Sequence, residues 1–270
     1  MNINHMEPGE QLFRSTVRIQ TDTGVGTGFY SIFREGDISF PIIITNKHVI
    51  RGAGVLSIVC HEADDSGNLT GRHITFNEKI TDLQILWHPE IDVDLVAINA
   101  VQFINKAGAQ GKSIMHGFNN PDLVYPENKE SELRAIEQVT MVGYPNGLWD
   151  SKNDLPIARR GITASPFASN YIGKAEFLVG IACFGGSSGS PVLLFEQGIY
   201  ADKHNNTVVG SRIMLLGVLY AGPTIKLDGT VEVVPGPTNS QIVSKTNTMM
   251  HLGYCIKARK ILDFRRMMIP

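Results

Sequence analysis

The chain has 270 residues, 43% of them hydrophobic and 19% charged, with a formal net charge of −2 at pH 7. That length permits one large domain or two small ones around a sizeable core. The near-neutral balance gives no electrostatic reason to expect nucleic acid or an anionic membrane as partner. No apolar run approaches the roughly 20 residues that span a bilayer, and the opening MNINHMEPGEQLFRSTVRIQ lacks an apolar signal core. The three cysteines, Cys60, Cys183 and Cys255, are too few and odd in number for a disulfide framework. These features point to a reducing, cytoplasmic setting.

In chain order, short β-type runs come first. Segments 15–21 (STVRIQT), 26–33 (GTGFYSIF), 40–46 (FPIIITN) and 54–60 (GVLSIVC) are rich in β-branched and aromatic residues, with glycine or charged turns between them. Segments 73–77 and 94–98 continue the pattern. From about 105 to 135 the chain turns polar and irregular and reads as a connection. Strands resume at 137–145, 175–182, 190–196, 207–222 and 253–258. The tail ARKILDFRRMM has helical spacing, with Ile261, Leu262, Phe264 and Met268 able to share a face. Two β units and a terminal helix are expected.

Three segments carry chemistry. In CFGGSSGSPVLL, Ser188 is flanked by Gly185, Gly186 and Gly189. A serine hydroxyl needs a base and donors for the oxyanion it creates. Glycines let the backbone aim two amides, those of Gly186 and Ser188, at one point. In IIITNKHVI, His48 appears at the mouth of an apolar strand, a rigid place for a proton-transfer group. In HPEIDVDLVAI, Asp94 opens an apolar run where its carboxylate can fix the tautomer of His48. Asp92 is its rival, placed behind because it does not adjoin that run.

The order His48, Asp94, Ser188 and the motifs TNKHVI, DLVAI, VGYP, GGSSGSPV and LLGVLYAG resemble the trypsin/chymotrypsin-like serine proteases over roughly residues 12–265. GVGTGF and the missing disulfides are similar to the bacterial HtrA-like and trypsin-like peptidase branches, here with no PDZ domain in view. The resemblance implies an all-β fold of two six-stranded antiparallel barrels of the chymotrypsin type with a C-terminal helix. It implies an N-terminal barrel at 12–120, a linker at 121–136 and a C-terminal barrel at 137–270. It also implies a serine endopeptidase acting on proteins or peptides, without cofactor or metal, whose activity a regulatory protein can control. The pocket floor would be Ala182 and Cys183, with Tyr220, Ala221, Gly222 and Gly253 as walls. An uncharged open slot predicts apolar P1 side chains, unless Asp228 or Glu232 folds back. Ser187 stands where secreted relatives carry an acid that pairs with a freshly cut N-terminus, so no such activation is expected. The rival expectation is a silent pseudoprotease used as a binding module.

Other patterns fail on context. GVGTG runs on as a strand rather than opening a helix. GGSSG centred on Ser187 lacks the helix of a nucleophile elbow. Cys183 lies outside the glycine-flanked turn, and Asp202 with His204 sits in a polar turn without ligand spacing.

Overall fold

The computed structural model describes residues 6–64, 66–115, 121–231 and 242–268, with backbone alone for 226–231 and 242–247. A short helix α1 (Pro8–Ser15) leads into β1 (Thr16–Thr21), β2 (Val25–Glu35) and β3 (Ile38–Thr45). One helical turn, α2 (Lys47–Ile50), separates these from β4 (Val55–Ala63), β5 (Leu69–Lys79), β6 (Ile85–Trp87) and β7 (Val96–Asn99). Helix α3 (Val101–Gly108) and the short β8 (Ser113–Ile114) close this part. The strands form one antiparallel eight-stranded sheet in the order β5-β4-β1-β2-β3-β7-β6, with β8 on β4.

The second part contains β9 (Gln138–Gly143), β10 (Ile157–Thr163), β11 (Glu176–Gly180) and β12 (Pro191–Glu196), then a hairpin of β13 (Ile199–Ala201) and β14 (Thr207–Val209). It continues with β15 (Arg212–Ala221), a second hairpin of β16 (Thr224–Val231) and β17 (Ile242–Met249), and β18 (Leu252–Lys257). Six of these strands close a barrel, β10-β11-β18-β15-β12-β9. The fold is therefore all-β and antiparallel. Of the expected pair of six-stranded barrels one is seen closed; the first part is a single eight-stranded sheet, which β6 and β8 extend beyond the expected six.

Three apolar clusters hold the molecule. One fills the first sheet, another fills the barrel, and a third lies between them. The most apolar runs are those buried on both faces. Ile43 faces the first sheet's interior while Ile42 and Ile44 face the shared cluster. In β7, Val96 and Ile98 point inward while Ala97, and Leu95 just before the strand, reach the shared cluster. In β12, Val192 and Leu194 fill the barrel and Leu193 the space between. Strand side chains alternate, so a run serving two cores must be apolar throughout. Each such side chain contributes roughly 1.5–3 kcal/mol by leaving water.

Two expectations are corrected. The tail is a 3-10 segment, Ala258–Phe264, followed by one α turn, α4 (Arg265–Met268). Ile261 and Phe264 are buried in the shared cluster while Leu262 is 38% exposed. A spacing of three places Ile261 and Phe264 on one side in either helix type. The irregular stretch also holds more structure than its polarity suggests. Helix α3 buries Phe103 and Ala107, and 3-10 turns occupy Pro121–Leu123 and Glu127–Glu132.

Candidate active site

His48 and Asp94 meet because of strand register. In the β3–β7 ladder Thr45 faces Val96; extended by two residues, that register sets Asp94 across from Lys47, next to His48. One carboxylate oxygen of Asp94 lies 2.5 Å from His48 Nδ1, and the other accepts the His48 backbone N–H at 3.1 Å. Asp94 is itself anchored: the buried Asn46 donates its side-chain amide to the Asp94 carbonyl at 2.8 Å. Buried Lys47 donates to the Glu90 carbonyl at 2.9 Å; burial lowers its pKa and the Asp94 charge opposes that shift. The His48 side chain is 48% exposed and that of Asp94 23%, so the pair opens onto solvent. Asp92 is exposed and lines a different groove with Glu90, Asp122 and Arg259.

Ser188 is the second residue of the second of two consecutive turns. Ser187 N–H donates to Phe184 O at 3.1 Å, and Ser190 N–H donates to Ser187 O at 3.0 Å. The third residue of each turn is a glycine with positive φ, Gly186 at +81° and Gly189 at +88°. That is the type II pattern, in which only glycine is comfortable. The Gly185 carbonyl accepts the Asn146 N–H at 2.5 Å. A planar trans peptide then turns the Gly186 N–H to the opposite side. Among the described residues, the amides of Gly186 and Ser188 have no acceptor, whereas those of Ser187, Gly189 and Ser190 all do. Two unpaired donors around one hydroxyl are what an oxyanion requires. The Ser188 hydroxyl itself donates to the Tyr220 carbonyl at 3.3 Å.

The loop is tied to the first sheet through Thr27, which the sequence reading did not single out. Thr27 is buried; its N–H donates to Ser188 O and its Oγ1 to Gly186 O, both at 2.8 Å. Thr45 Oγ1, three residues before His48, donates to Thr27 O at 2.7 Å. Thr27 thus joins the strand leading to His48 with the loop carrying Ser188.

At the expected pocket walls the two glycines lie against close neighbours. A Cβ on Gly222 would lie 2.7 Å from the Met249 methyl and 2.9 Å from the Leu252 carbonyl. Gly253 faces the barrel core, where a Cβ would meet Leu219 at 2.5 Å and Cys183 Sγ at 2.7 Å. Cys183 is 1% exposed, and burial pushes its thiol up to about 11. Ala182, Tyr220 and Ala221 remain half-buried near Ser188, and the Tyr220 hydroxyl donates to Glu176 at 2.9 Å. The side chain of Asp228, and Glu232 altogether, lie outside the described residues.

A second constellation was invisible in the sequence because its members lie far apart. His61, His73 and Asp154 bring ligand-type atoms within 4.8 Å of one another. A tetrahedral site with ligands about 2.0–2.2 Å from the metal needs donors about 3.5 Å apart. Here the rings have other work: Arg14 donates to His61 Nδ1 at 3.4 Å, and His73 Nε2 contacts the Asn153 carbonyl at 3.2 Å. Asp202 closes its own turn, accepting the amides of His204 and Asn206, each at 2.8 Å.

The histidine–carboxylate pair thus stands on the sheet and the glycine-turned serine at the barrel, with Thr27 joining the two. The chain belongs to the trypsin-like peptidase domain family, whose model matches residues 26–199. No curated protein matches it. Similar solved structures include the Rv3671c protease of M. tuberculosis in its inactive form, 14% identical over 99% of this chain and 95% of that one, with a TM-score of 0.47. The HtrA-type protease AlgW with a tripeptide is 15% identical over 97% of this chain and 62% of that one, TM-score 0.47. HL collagenase is 12% identical over 94% and 93%, TM-score 0.47. Among the described residues no helix is long and apolar enough to cross a membrane.

Proposed function

We propose that the protein is a serine endopeptidase that cleaves protein or peptide substrates through an acyl-enzyme on Ser188. The observation that carries this reading is the 2.5 Å contact between His48 Nδ1 and Asp94, delivered by strand register beside a loop with two unpaired amides. Asp94 holds the ring with Nε2 as its basic nitrogen. His48 takes the Ser188 proton during attack on the carbonyl and returns it to the leaving amine. The amides of Gly186 and Ser188 bind the oxyanion. In this reading the eight-stranded sheet acts as the first barrel, the units divide near 120 and 137, and the resident pocket floor is Ala182. The free thiols of Cys60, Cys183 and Cys255, all buried, support a cytoplasmic setting.

A binding module without catalysis is the second reading, favoured by one observation: the Ser188 hydroxyl is bonded to Tyr220 O. Attack would first require it to leave that carbonyl for His48. Labelling with a fluorophosphonate separates the two. The endopeptidase reading expects a single phosphonyl adduct on Ser188, lost in Ser188→Ala and in His48→Ala. A folded wild-type protein that resists the probe supports the binding module.

A further inference from the structure

Arg159 occupies the third position of β10, on the face shared with Ile157, Gly161 and Thr163, while Ala158, Arg160 and Ile162 are exposed. Its Nη1 donates to the Ala182 carbonyl at 2.8 Å and to Ser187 Oγ at 2.9 Å. These acceptors bracket the segment that forms the first turn, the one that precedes Ser188. Gly161, two residues on, allows this approach: a Cβ there would lie 2.2 Å from the Gly180 carbonyl.

The rest of the guanidinium is unusual. Nε and Nη2 are buried with no acceptor among the described residues. Burial lowers the pKa of Arg159 to about 10, and the opposing influence comes from Cys183, itself a buried thiol. A partly buried cation without a carboxylate partner still carries a desolvation cost, so its place beneath this loop calls for a reason. The loop supplies one. With Gly185, Gly186 and Gly189 it has large conformational freedom to lose, and Ser187 provides no charge to pin it. Hydrogen bonds from a charged, desolvated donor are stronger than neutral ones.

We propose that Arg159 is the positioning residue that holds residues 182–188 in their oxyanion-binding form, through its paired bonds to Ala182 and Ser187. The inference rests on the reading of Ser188 as nucleophile, and it assigns to an internal strand residue the ordering role that an acid–amine pair would otherwise fill. Arg159 acts through the loop and does not touch the reacting atoms.

The test uses the full chain with Arg159→Gln, Arg159→Lys, Ser187→Ala and the double variant Arg159→Gln/Ser187→Ala. Two readouts are taken: the rate of Ser188 phosphonylation by a fluorophosphonate, and amide hydrogen exchange of the 182–190 peptide. Arg159→Gln is expected to slow labelling about 100-fold or more, the scale of a lost oxyanion donor. It should speed exchange about tenfold in that peptide alone. Arg159→Lys, which keeps the charge, should be intermediate, and Ser187→Ala should add nothing in the Arg159→Gln background. Unchanged labelling and exchange in Arg159→Gln overturns the proposal. So does faster exchange spread over the whole barrel and shared by Arg159→Lys. If the wild type resists the probe yet Arg159→Gln loosens only the 182–190 peptide, loop positioning stands and the nucleophile reading falls.

Discussion

The backbone N–H of Thr27 donates to the carbonyl of Ser188 at 2.8 Å, so the sheet that carries the base grips the residue that carries the hydroxyl. The Thr27 side chain completes the joint, donating to Gly186 O at 2.8 Å and accepting the Tyr144 N–H at 3.1 Å. The relative placement of His48 and Ser188 is thus set where the two cores meet, not within either one.

Thr27→Val keeps the shape and removes the hydroxyl. It leaves the Gly186 carbonyl and the Tyr144 amide buried without that partner, at about 1–3 kcal/mol each. At roughly 2–4 °C per kcal/mol for a chain of this size, melting should fall by several degrees. Ser188 labelling should slow by about tenfold or more through the displaced Gly186 amide. Calorimetry and probe kinetics check both, and a variant with unchanged labelling would remove Thr27 from the site.

The glycines of the loop should be irreplaceable for steric reasons. At Gly186 a Cβ would lie 2.5 Å from the Tyr144 carbonyl, and at Gly189 one would lie 1.9 Å from the Thr27 carbonyl. Both residues also have left-handed φ. Gly186→Ala and Gly189→Ala should each lose Ser188 labelling by about 100-fold or more, with the larger drop in melting temperature for Gly189→Ala. Gly24→Ala, where nothing lies within 4 Å of a new Cβ, should match the wild type. Equal behaviour of all three would contradict the turn geometry.

Much of this site was legible before the fold. The runs III, LVAI and PVLLF are apolar at every position because they serve two cores, and His48, Asp94 and Ser188 lie just beyond their ends. Antiparallel pairing of β3 with β7 brings His48 to Asp94, and the bonds of Thr27 tie the Ser188 loop to the same sheet. What stayed hidden was hidden for physical reasons. The segment IARRGIT does not read as a strand because two arginines interrupt it, although one of them, Arg159, turns inward. Thr27 lies in a glycine-spaced motif whose hydrogen-bond partners are over 100 residues away. Nor could the sequence show why Gly222 and Gly253 are glycines: a Cβ would lie 2.7 Å from the Met249 methyl at the first and 2.5 Å from Leu219 at the second.

Asp94 and Asp92 should separate cleanly. Asp94→Asn presents an amide to His48 Nδ1 and favours the wrong tautomer, so turnover should drop about 10⁴-fold with the fold intact. Asp92→Asn, exposed and lining another groove, should stay within about twofold of wild type. Kinetics on a casein-type substrate decide the matter; the reverse ranking would reassign the third member of the triad.

Substrate preference should avoid bases at P1. The guanidinium of Arg159 is bonded to the Ala182 carbonyl, so a Lys or Arg side chain reaching Ala182 would meet a like charge in a poorly solvated place. Apolar side chains such as Leu, Met or Phe carry no such penalty. A peptide-library profile should therefore rank them above Lys and Arg, and strong selection for a basic P1 would contradict the placement of the pocket floor.

Stability should fall in mild acid because of His61. This ring is 5% exposed, and its pKa is lowered to about 3 by burial first, then by Arg14 and His73. Arg14 donates to Nδ1 and favours the neutral ring, while a hydrogen bond to the Asp154 backbone opposes the shift more weakly. In the unfolded chain the same group titrates near 6.5. Above that value both states hold it neutral and stability is independent of its charge. Between about 6.5 and 3 the unfolded state binds the extra proton, so stability rises with pH and is lost on acidification. At about 1.4 kcal/mol per pKa unit, the full window is worth on the order of 4–5 kcal/mol. His61→Gln retains an oxygen for Arg14 but has no proton to gain. Urea melts at pH 7.5, 5.5 and 4.5 should show the variant less stable than wild type at pH 7.5 and the gap shrinking as pH falls. Curves that stay parallel would mean that another group controls the acid limb.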